Sequence, residues 1–300
     1  TCALPIYEDL VDVVTILDSY QTPFFSTAPK VRARDVVHSW TIDTLPSTGL
    51  TGSVEGDDFT GSTLTGPVRL YNNTQIFSRS VVVSDRERDA NPAGIRDMYE
   101  YQVMKEFKTL ARNFEAAVFS TGASASATGD ATTYPKMGNL RATYSGWSIA
   151  STSTATLTTA AIVSISQTLY VAGAEPDSLW FSPADKSRFV NATVSSGSGN
   201  VRNIAATDQR LVANIDVFET PFNQLYAVIV DRFITAASAT GDTSGFLVGD
   251  RSMAKVAFFR PPQHKPMGKN GDHTRGLILM EPTLELTHPS AWGVVQGVTA

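Results

Sequence analysis

A single long helix is predicted by NPAGIRDMYEYQVMKEFKTLARNFEAAVFST, residues 91–121. Apolar residues recur there at intervals of three and four, a spacing that puts them on one face of a helix. The residues of this stripe are Ile95, Tyr99, Val103, Phe107, Leu110, Phe114 and Val118. Asn91 and Pro92 form a typical helix start, because Asn accepts from first-turn amides and proline suits the first helical position. Gly122 predicts the end, and a helix of this length can form the backbone of a whole subunit.

Two strand-like runs precede this helix, at residues 36–45 and 68–83, and both are rich in β-branched and aromatic residues. Five glycines lie between the runs, interleaved with serine, threonine and the acidic residues Glu55, Asp57 and Asp58. A connection of this length with only scattered apolar residues is uncommon inside a compact domain. We therefore predict a long hairpin with a mobile, acidic tip.

The rest of the chain is predicted to be mixed α+β. Residues 6–17 carry an apolar stripe at helical spacing, which ends at TPFF, residues 22–25, because a residue before proline is disfavoured in the α region. Residues 159–172 form a second predicted helix with Gly173 as its stop. Residues 123–158 are predicted as loop with weak strand. Short strands are predicted at 178–181, 217–218, 225–230, 245–248, 254–259, 277–286 and 293–298, with a flexible loop at 195–200.

Composition places the chain among ordinary globular proteins. With 300 residues, 42% of them hydrophobic and 18% charged, it can bury the core of one large domain or two moderate ones. No apolar run approaches the ~20 residues that cross a bilayer. Cys2 is the only cysteine, which excludes an intrachain disulfide framework and a multi-thiolate metal site. A net charge of -5 argues against a dedicated nucleic-acid binder but suits a protein that lies beside DNA without gripping it.

No constellation of residues points to catalysis, a metal ion or a cofactor. The four histidines, at positions 38, 264, 273 and 288, lack paired-ligand spacing and are interpreted as structural or surface residues. The acidic tip lacks the EF-hand pattern, and residues 195–199 match neither a nucleophile elbow nor a phosphate loop. Asn72-Asn73-Thr74 matches a glycosylation acceptor, which we interpret as fortuitous because the sequence shows no secretory signal.

A basic cluster near the C-terminus is the remaining charged feature. Its members are Arg260, His264, Lys265, Lys269 and Arg275, interrupted by prolines and glycines. We predict a basic loop between two strands, which binds either phosphate or acidic partners on another subunit, such as Asp57 and Asp58. Arg69 is the only basic residue within 41–75. The candidates for inter-subunit contact are Glu55, Asp57, Asp58, Arg69, Arg260, Lys265 and Lys269.

The order of several short motifs resembles the major capsid proteins of tailed bacteriophages with the Hong Kong 97 type fold. The N-terminal motifs are YEDL at 7–10, TPFF at 22–25, HSWTIDTL at 38–45 and QIF at 75–77. The later motifs are VVVS at 81–84, YVAGAEPD at 170–177, SP at 182–183, FFRP at 258–261 and GD at 271–272. The resemblance covers nearly the whole chain.

This resemblance implies an α+β, HK-97-like fold in five parts. They are an N-terminal arm at 1–40, an extended hairpin loop at 41–83, a peripheral domain with the long spine helix at 84–158, an inserted axial domain at 159–239 and the C-terminal strands of the peripheral domain at 240–300. In shells of this type, the extended loop of one subunit lies over its neighbour's peripheral domain. The axial domains meet at the centres of pentamers and hexamers.

The resemblance also implies a function: a major capsid protein, without enzymatic activity, that self-assembles as pentamers and hexamers of an icosahedral phage head around double-stranded DNA. It implies a virion protein assembled in the host cytoplasm, whose partners are portal, scaffolding and cement or decoration proteins, with no membrane and no cofactor. The alternative is a cellular nanocompartment shell of the encapsulin type with protein cargo. A hydrolase would need a nucleophile and a base that we do not find. Residues 41–75 contain no lysine, so the Lys-Asn crosslinking of the family's type member is not expected.

Overall fold

The computed structural model describes residues 21–45, 52, 55–56, 58, 66–89, 97–120, 127–130, 132–140, 149–153, 158–195, 215–234, 245–269 and 271–296. The predicted arm helix at 6–17, the predicted helix start at Asn91 and Asp57 of the acidic tip lie outside these residues. Most of the predicted loop at 195–200 also lies outside them. The mobility of the hairpin tip therefore stays a prediction.

Helices and strands alternate along the chain, which confirms the α+β class. The first half contains α1 (Pro23–Thr27), β1 (Lys30–Arg32), β2 (Val37–Ile42), β3 (Val68–Asn73), β4 (Phe77–Ser84), α2 (Asp85–Asp89), α3 (Met98–Val118) and β5 (Ala150–Ser153). The second half contains α4 (Thr159–Val171), β6 (Ser178–Phe181), α5 (Pro183–Ser195), β7 (Val217–Glu219), β8 (Leu225–Val230), β9 (Leu247–Gly249), β10 (Ala254–Met267), β11 (His273–Leu286) and β12 (Trp292–Gln296). Short 3-10 helices occupy Arg251–Met253 and Pro289–Ala291. Of the helices described, none combines the length and apolar character needed to span a membrane.

The long helix α3 is shorter than the sequence predicts. It begins at Met98 because Asp97 has an extended backbone and its side chain accepts hydrogen bonds from two first-turn amides. It ends at Val118. The helix predicted from Asn91 to Thr121 is therefore too long at both ends, because Asp97 is extended and Ser120 is no longer helical. Asn and Asp cap helices about equally well, so the sequence pattern alone does not rank the two starts.

The apolar stripe of α3 is confirmed over the length of the helix. Leu110, Phe114 and Val118 are buried. Tyr99 and Phe107, nearer the start of the helix, are only partly buried against the same core. Burial therefore deepens toward the C-terminal end, which is where apolar burial holds the helix most firmly.

The first sheet has the strand order β1-β10-β11-β4, with β1 parallel to β10 and the other pairs antiparallel. Helix α3 packs across β4 and β11. Successive side chains of β11 point to opposite faces of the sheet. Those that enter the core beneath α3 are Ile278, Met280, Leu284 and Leu286. On the opposite face, Glu281 and Thr283 form hydrogen bonds with the end of the hairpin.

Strands β10 and β11 extend much further than the sequence predicts. The predicted basic loop from Arg260 to Arg275 is wrong, because most of it pairs in an antiparallel ribbon that reaches Met267 opposite Arg275. Its prolines favoured a loop, since proline cannot donate a hydrogen bond in a ladder. The ribbon accommodates Pro261 and Pro262 through shifts of register on both sides of Arg260.

The hairpin predicted before the long helix is confirmed at its base. Strands β2 and β3 are antiparallel, from Val37 opposite Asn73 to Ile42 opposite Val68. The chain then leaves the hairpin, because β4 joins the first sheet instead of continuing β3. The run predicted as one strand at 68–83 is thus two strands in different sheets.

The second sheet has the order β5-β12-β9-β6-β8-β7, and side chains on both of its faces are buried. One face, including Leu179 and Phe181, packs on α4 and α5. The other face, including Trp180 and Trp292, joins the core beneath α3. Helix α4 confirms the second predicted helix, and Gly173 follows it at a φ of 87°. Helix α5 has no counterpart in the sequence prediction, because its sequence PADKSRFVNATVS has too few apolar residues for a clear stripe.

The short helix α1 closes the junction between the two sheets. The sequence predicts that TPFF ends a helix, whereas Pro23 occupies the first position of a new one. Phe24 is buried there. Its ring makes edge contacts at centroid distances of 5.6, 6.0 and 6.4 Å with Phe119, Trp180 and Trp292. Helix α1 is therefore part of the core.

Candidate functional site

The base of the hairpin is attached to β11 by a row of hydrogen bonds. The Thr74 hydroxyl donates to Glu281 Oε1 at 2.7 Å. The Thr283 hydroxyl donates to the Asn73 carbonyl at 2.8 Å. Since Glu281 and Thr283 are two positions apart on one strand, their side chains point to the same face. We call the side-chain contacts between the hairpin and β11 the polar row. Because hydrogen bonds are directional, the polar row fixes the angle of the hairpin as well as its position.

Asn72 adds a fully buried contact to this attachment. Its side chain has no exposed area. Its amide nitrogen donates to the Leu284 carbonyl at 2.7 Å, and its amide oxygen accepts from Gly138 N at 2.7 Å. The glycosylation motif at this position is thus part of the interior, which agrees with the interpretation that the match is fortuitous. The sequence signal available was a pair of Asn residues at the end of a strand, where polar side chains bond to the backbone.

The outer end of the polar row is an ion pair between strands. His38 Nε2 lies 2.7 Å from Glu285 Oε2, and Lys255 Nζ lies 3.6 Å from Glu285 Oε1. The hydrogen bond with His38 is the main reason that the pKa of Glu285 is lowered, with Lys255 adding to the effect and burial opposing it. The carboxylate is therefore ionised at neutral pH and holds β2 against β11.

Two of the predicted inter-subunit contact residues are already paired within their own chain. Arg260 Nε lies 2.6 Å from Glu281 Oε2, and Lys269 Nζ lies 2.6 Å from Asp85 Oδ2. The Lys269 hydrogen bond, followed by one from the Thr274 hydroxyl, lowers the pKa of Asp85. These cations therefore stabilise the ribbon.

The remaining candidates are on the surface. Lys265 is exposed on β10, and Arg69 is exposed on β3 and donates to the Ser39 hydroxyl at 2.9 Å. Glu55 and Asp58 are exposed, and Asp57 lies outside the described residues. The structure thus brings Arg260 and Lys265 onto one ribbon, with Lys269 two residues past the end of β10, and leaves Arg69 on the hairpin. Contact of any of these residues with another subunit stays a prediction.

Each histidine has a structural partner in its own chain, which agrees with their predicted structural roles. Besides the His38 pair, Tyr99 Oη and His264 Nε2 lie 2.8 Å apart. Arg275 Nε donates to His273 Nε2 at 2.6 Å, and the Ser290 amide donates to His288 Nδ1 at 3.3 Å. Within the described ranges, no group of three or more potential metal ligands is present.

A pair of buried carboxyl groups fixes α1 to the end of α3. Glu115 is fully buried, and its two oxygens accept from the amides of Phe24 and Phe25 at 2.7 and 2.8 Å. Thr22, the residue before α1, makes no side-chain cap. Glu115 therefore supplies the N-terminal cap of α1 from another helix, a contact that satisfies otherwise unpaired amides.

Asp231, at the end of β8, is the second member of this pair. It is 1% exposed, and its Oδ1 accepts from the Phe233 amide at 2.8 Å. Burial, then the hydrogen bond and the charge of Asp231, raise the pKa of Glu115 to about 9. Burial also raises the pKa of Asp231. Two carboxylates cannot both stay charged at close range in a dry site, so the pair holds one proton at neutral pH.

The comparison with protein families decides which kind of protein carries these features. A family model described as SU10 major capsid protein matches residues 2–299. The chain belongs to this family. A relative, the major capsid protein of Escherichia phage Phieco32, is 23% identical over 329 aligned residues, which cover 94% of this chain and 91% of the relative. The SU10-family chain is thus a major capsid protein of phage heads and a structural component of the virion.

Solved capsid structures agree with the family assignment at the level of the fold. The capsid of cyanophage A-1(L) matches this SU10-family chain with a TM-score of 0.71 at 12% identity, over 98% of each chain. The capsid of cyanophage P-SCSP1u matches with a TM-score of 0.63 at 13% identity, over 99% of this chain and 94% of the other. The SrpI encapsulin of Synechococcus elongatus PCC 7942 matches with a TM-score of 0.60 at 11% identity, over 97% and 92%. The HK-97-like fold is therefore confirmed, and the family favours the phage capsid over the encapsulin alternative.

Proposed function

We propose that this capsid protein assembles as pentamers and hexamers of an icosahedral head that encloses double-stranded DNA. The hairpin is the observation that carries the proposal. In the described part of the chain, β2 and β3 pair only with each other, so their outer edges carry backbone groups that another subunit can bond. The polar row on β11 fixes the angle of the hairpin. The hairpin can therefore make the same contact with a neighbour in every subunit.

The two sheets take different places in the proposed pentamers and hexamers. We assign the first sheet and α3 to the peripheral domain, and the second sheet with α4 and α5 to an inserted axial domain that meets its copies at the ring centre. This assignment keeps the predicted axial range of 159–239. The second sheet also takes β5, β9 and β12 from outside that range, so the division between the domains runs through the sheet.

Packaged DNA makes only weak, non-specific contact with the proposed shell. A net charge of -5 supports this, because affinity for phosphate backbones comes mainly from Lys and Arg. The proposal includes assembly in the host cytoplasm with portal and scaffolding proteins, and cement or decoration proteins on the finished head. No enzymatic step is needed, because repeated contacts between subunits close the container.

Subunits of the finished shell are held together without covalent links. Arg69 is the only basic residue within 41–75, and a guanidinium that stays protonated cannot act as an amine nucleophile. Boiling particles in detergent with reductant should therefore release one band at the monomer mass. A ladder of multimers would contradict this part of the proposal.

Electron microscopy of the purified protein tests the assembly. We expect closed icosahedral shells from the unaltered chain, and folded but unassembled subunits after deletion of residues 46–65. A matched control replaces residues 46–65 with a Gly/Ser sequence of equal length. Loss of assembly in both variants supports a role for the side chains of this segment. Normal shells from the deletion variant would refute the proposed role of the hairpin.

A further inference from the structure

A cavity of about 380 Å³ opens between the end of β1 and the hairpin. Three arginines line it: Arg32 at the end of β1, Arg34 two residues later, and Arg69 from β3. All three side chains belong to exposed residues. Several arginines around one space favour an anion there, because each guanidinium presents several donors in a fixed plane.

The chain itself supplies little negative charge to this cavity. Asp35 is the only carboxylate among its lining residues, and its Oδ1 already accepts from the Val36 amide at 2.7 Å. His38, which also lines the cavity, is engaged with Glu285. Within the ranges that the structure describes, neither Arg32 nor Arg34 has an ion-pair partner. The cavity thus differs from the β10–β11 ribbon and its connection, where Arg260 and Lys269 each have one.

We propose that this arginine cavity is a socket for carboxylate side chains of a second copy of the chain. The proposal rests on the assembly proposed above, in which every subunit meets identical neighbours. A second copy is the fitting occupant because the chain has 29 acidic against 24 basic residues, so its surface offers carboxylates in excess. A cavity on one part of the subunit that binds a different part of the next is a heterologous contact, the kind that closes into rings.

Glu55 and Asp58 are the carboxylates assigned to the socket. Both are exposed. They belong to the connection between Ile42 and Val68, which continues past the paired part of the hairpin, whereas the cavity lies beside that pairing. The proposed contact joins Glu55 and Asp58 of one subunit to the cavity of the next. Arginine and carboxylate can then form paired hydrogen bonds.

Charge reversal tests the socket in the full-length chain. We expect Arg32→Glu with Arg34→Glu to lower the yield of closed particles by about tenfold or more, because like charges across a repeated interface are strongly disfavoured. The variant subunit should remain folded, since both side chains are exposed. Its circular dichroism and thermal unfolding are compared with those of the unaltered subunit. Normal particle yield from a folded variant would overturn the proposal.

Restoration of assembly identifies the partner residues. Adding Glu55→Arg and Asp58→Arg to the reversed socket should restore particles, because the two reversals recreate opposite charges. The matched control adds Glu87→Arg and Asp89→Arg, which reverse two exposed carboxylates on α2. Restoration by the control pair, or by neither pair, would overturn the assignment.

Two further outcomes distinguish loss of the socket from failure of the whole assembly and from DNA binding by the arginines. If the unaltered chain forms no shells under the same conditions, the proposed assembly fails and not the socket alone. If the reversed-socket variant forms normal empty shells but retains less DNA, the arginines bind nucleic-acid phosphate and the inference is wrong. Assembly of the unaltered chain should also weaken as salt is raised toward 1 M, where the Debye length is about 3 Å. Salt-independent assembly would contradict the socket.

Discussion

The two faces of β11 are held to their neighbours by different physical means. One face carries Ile278, Met280 and Leu284 into the apolar core beneath α3. The other carries Glu281 and Thr283 to the hairpin, where side chains form hydrogen bonds. Apolar burial is strong and non-directional, whereas a hydrogen bond is weaker and directional. The core therefore sets the stability of the subunit, and the polar row sets the direction of the hairpin.

Phe114→Ala should have the largest effect, because it acts on the apolar face. Phe114 has no exposed area and contacts Phe25 and Phe77. Truncating such a ring costs about 3 to 5 kcal/mol of unfolding free energy. Denaturant titration of the subunit measures the loss. Met104→Ala is the control on the same helix, since Met104 is 65% exposed. Equal losses in the two variants would show that the apolar stripe is not the core.

Asn72→Ala should have an intermediate effect, because it acts on the polar side. It leaves the buried Leu284 carbonyl and Gly138 amide without this partner, which costs about 1 to 3 kcal/mol. The hairpin should also become more sensitive to limited proteolysis while the core stays protected. Thr41→Ala, at an exposed position of β2, is the control and should change neither property. Proteolysis of core and hairpin at the same rate would argue against separate roles for the two faces.

Glu115→Gln should change how stability depends on pH. The pKa of Glu115 rises from 4.5 to about 9 on folding, so the folded chain binds more protons between these values. This contribution is fully present below pH 4.5 and is lost as pH rises through about 9, with a slope of at most about 1.4 kcal/mol per pH unit. Glutamine cannot titrate; it keeps one of the two acceptors for α1 and offers an amide donor to Asp231. We therefore expect a flatter profile between pH 5.5 and 9.

Glu285→Gln is the matched control for this titration. Its pKa is lowered, so its contribution is present above pH 4.5 and is lost as pH falls further. The variant should keep the decline of stability above pH 5.5 and differ from the unaltered chain only in acid. If Glu115→Gln shows the same decline as the unaltered chain, the buried pair does not hold the proton.

Lys269→Ala should have the smallest effect. The Lys269 side chain is 58% exposed, and solvent and salt screen its ion pair with Asp85. We expect no change in the unfolding midpoint beyond experimental error. A loss as large as that of Asn72→Ala would mean that surface charge, and not the buried polar row, is the stronger polar attachment.

The apolar contacts of α3 could be predicted from the sequence, whereas the buried polar contacts of Glu115 and Asn72 could not. The stripe of α3 repeats every three or four residues, so a local pattern reveals it. Glu115 and Asn72 have no such pattern, because their partners lie 91 and 212 residues away along the chain. The start of α3 was predicted too early because Asn91 and Asp97 are both good caps. The ribbon around Arg260 was missed because a register shift that accommodates proline depends on the partner strand.

The pairing of β1 with β10, and of β5 with β12, sets an order of events during synthesis. In each pair, one strand is synthesised well before its partner. Neither sheet can therefore be complete until most of the chain has left the ribosome. Contacts between distant parts of a chain form slowly, because loop closure costs entropy before the contact is made. The contact between Phe24 and Trp292 likewise forms only after the C-terminal residues have been synthesised. A nascent chain that lacks β10 and β12 therefore has neither sheet complete. Only full-length subunits can offer a folded surface for assembly.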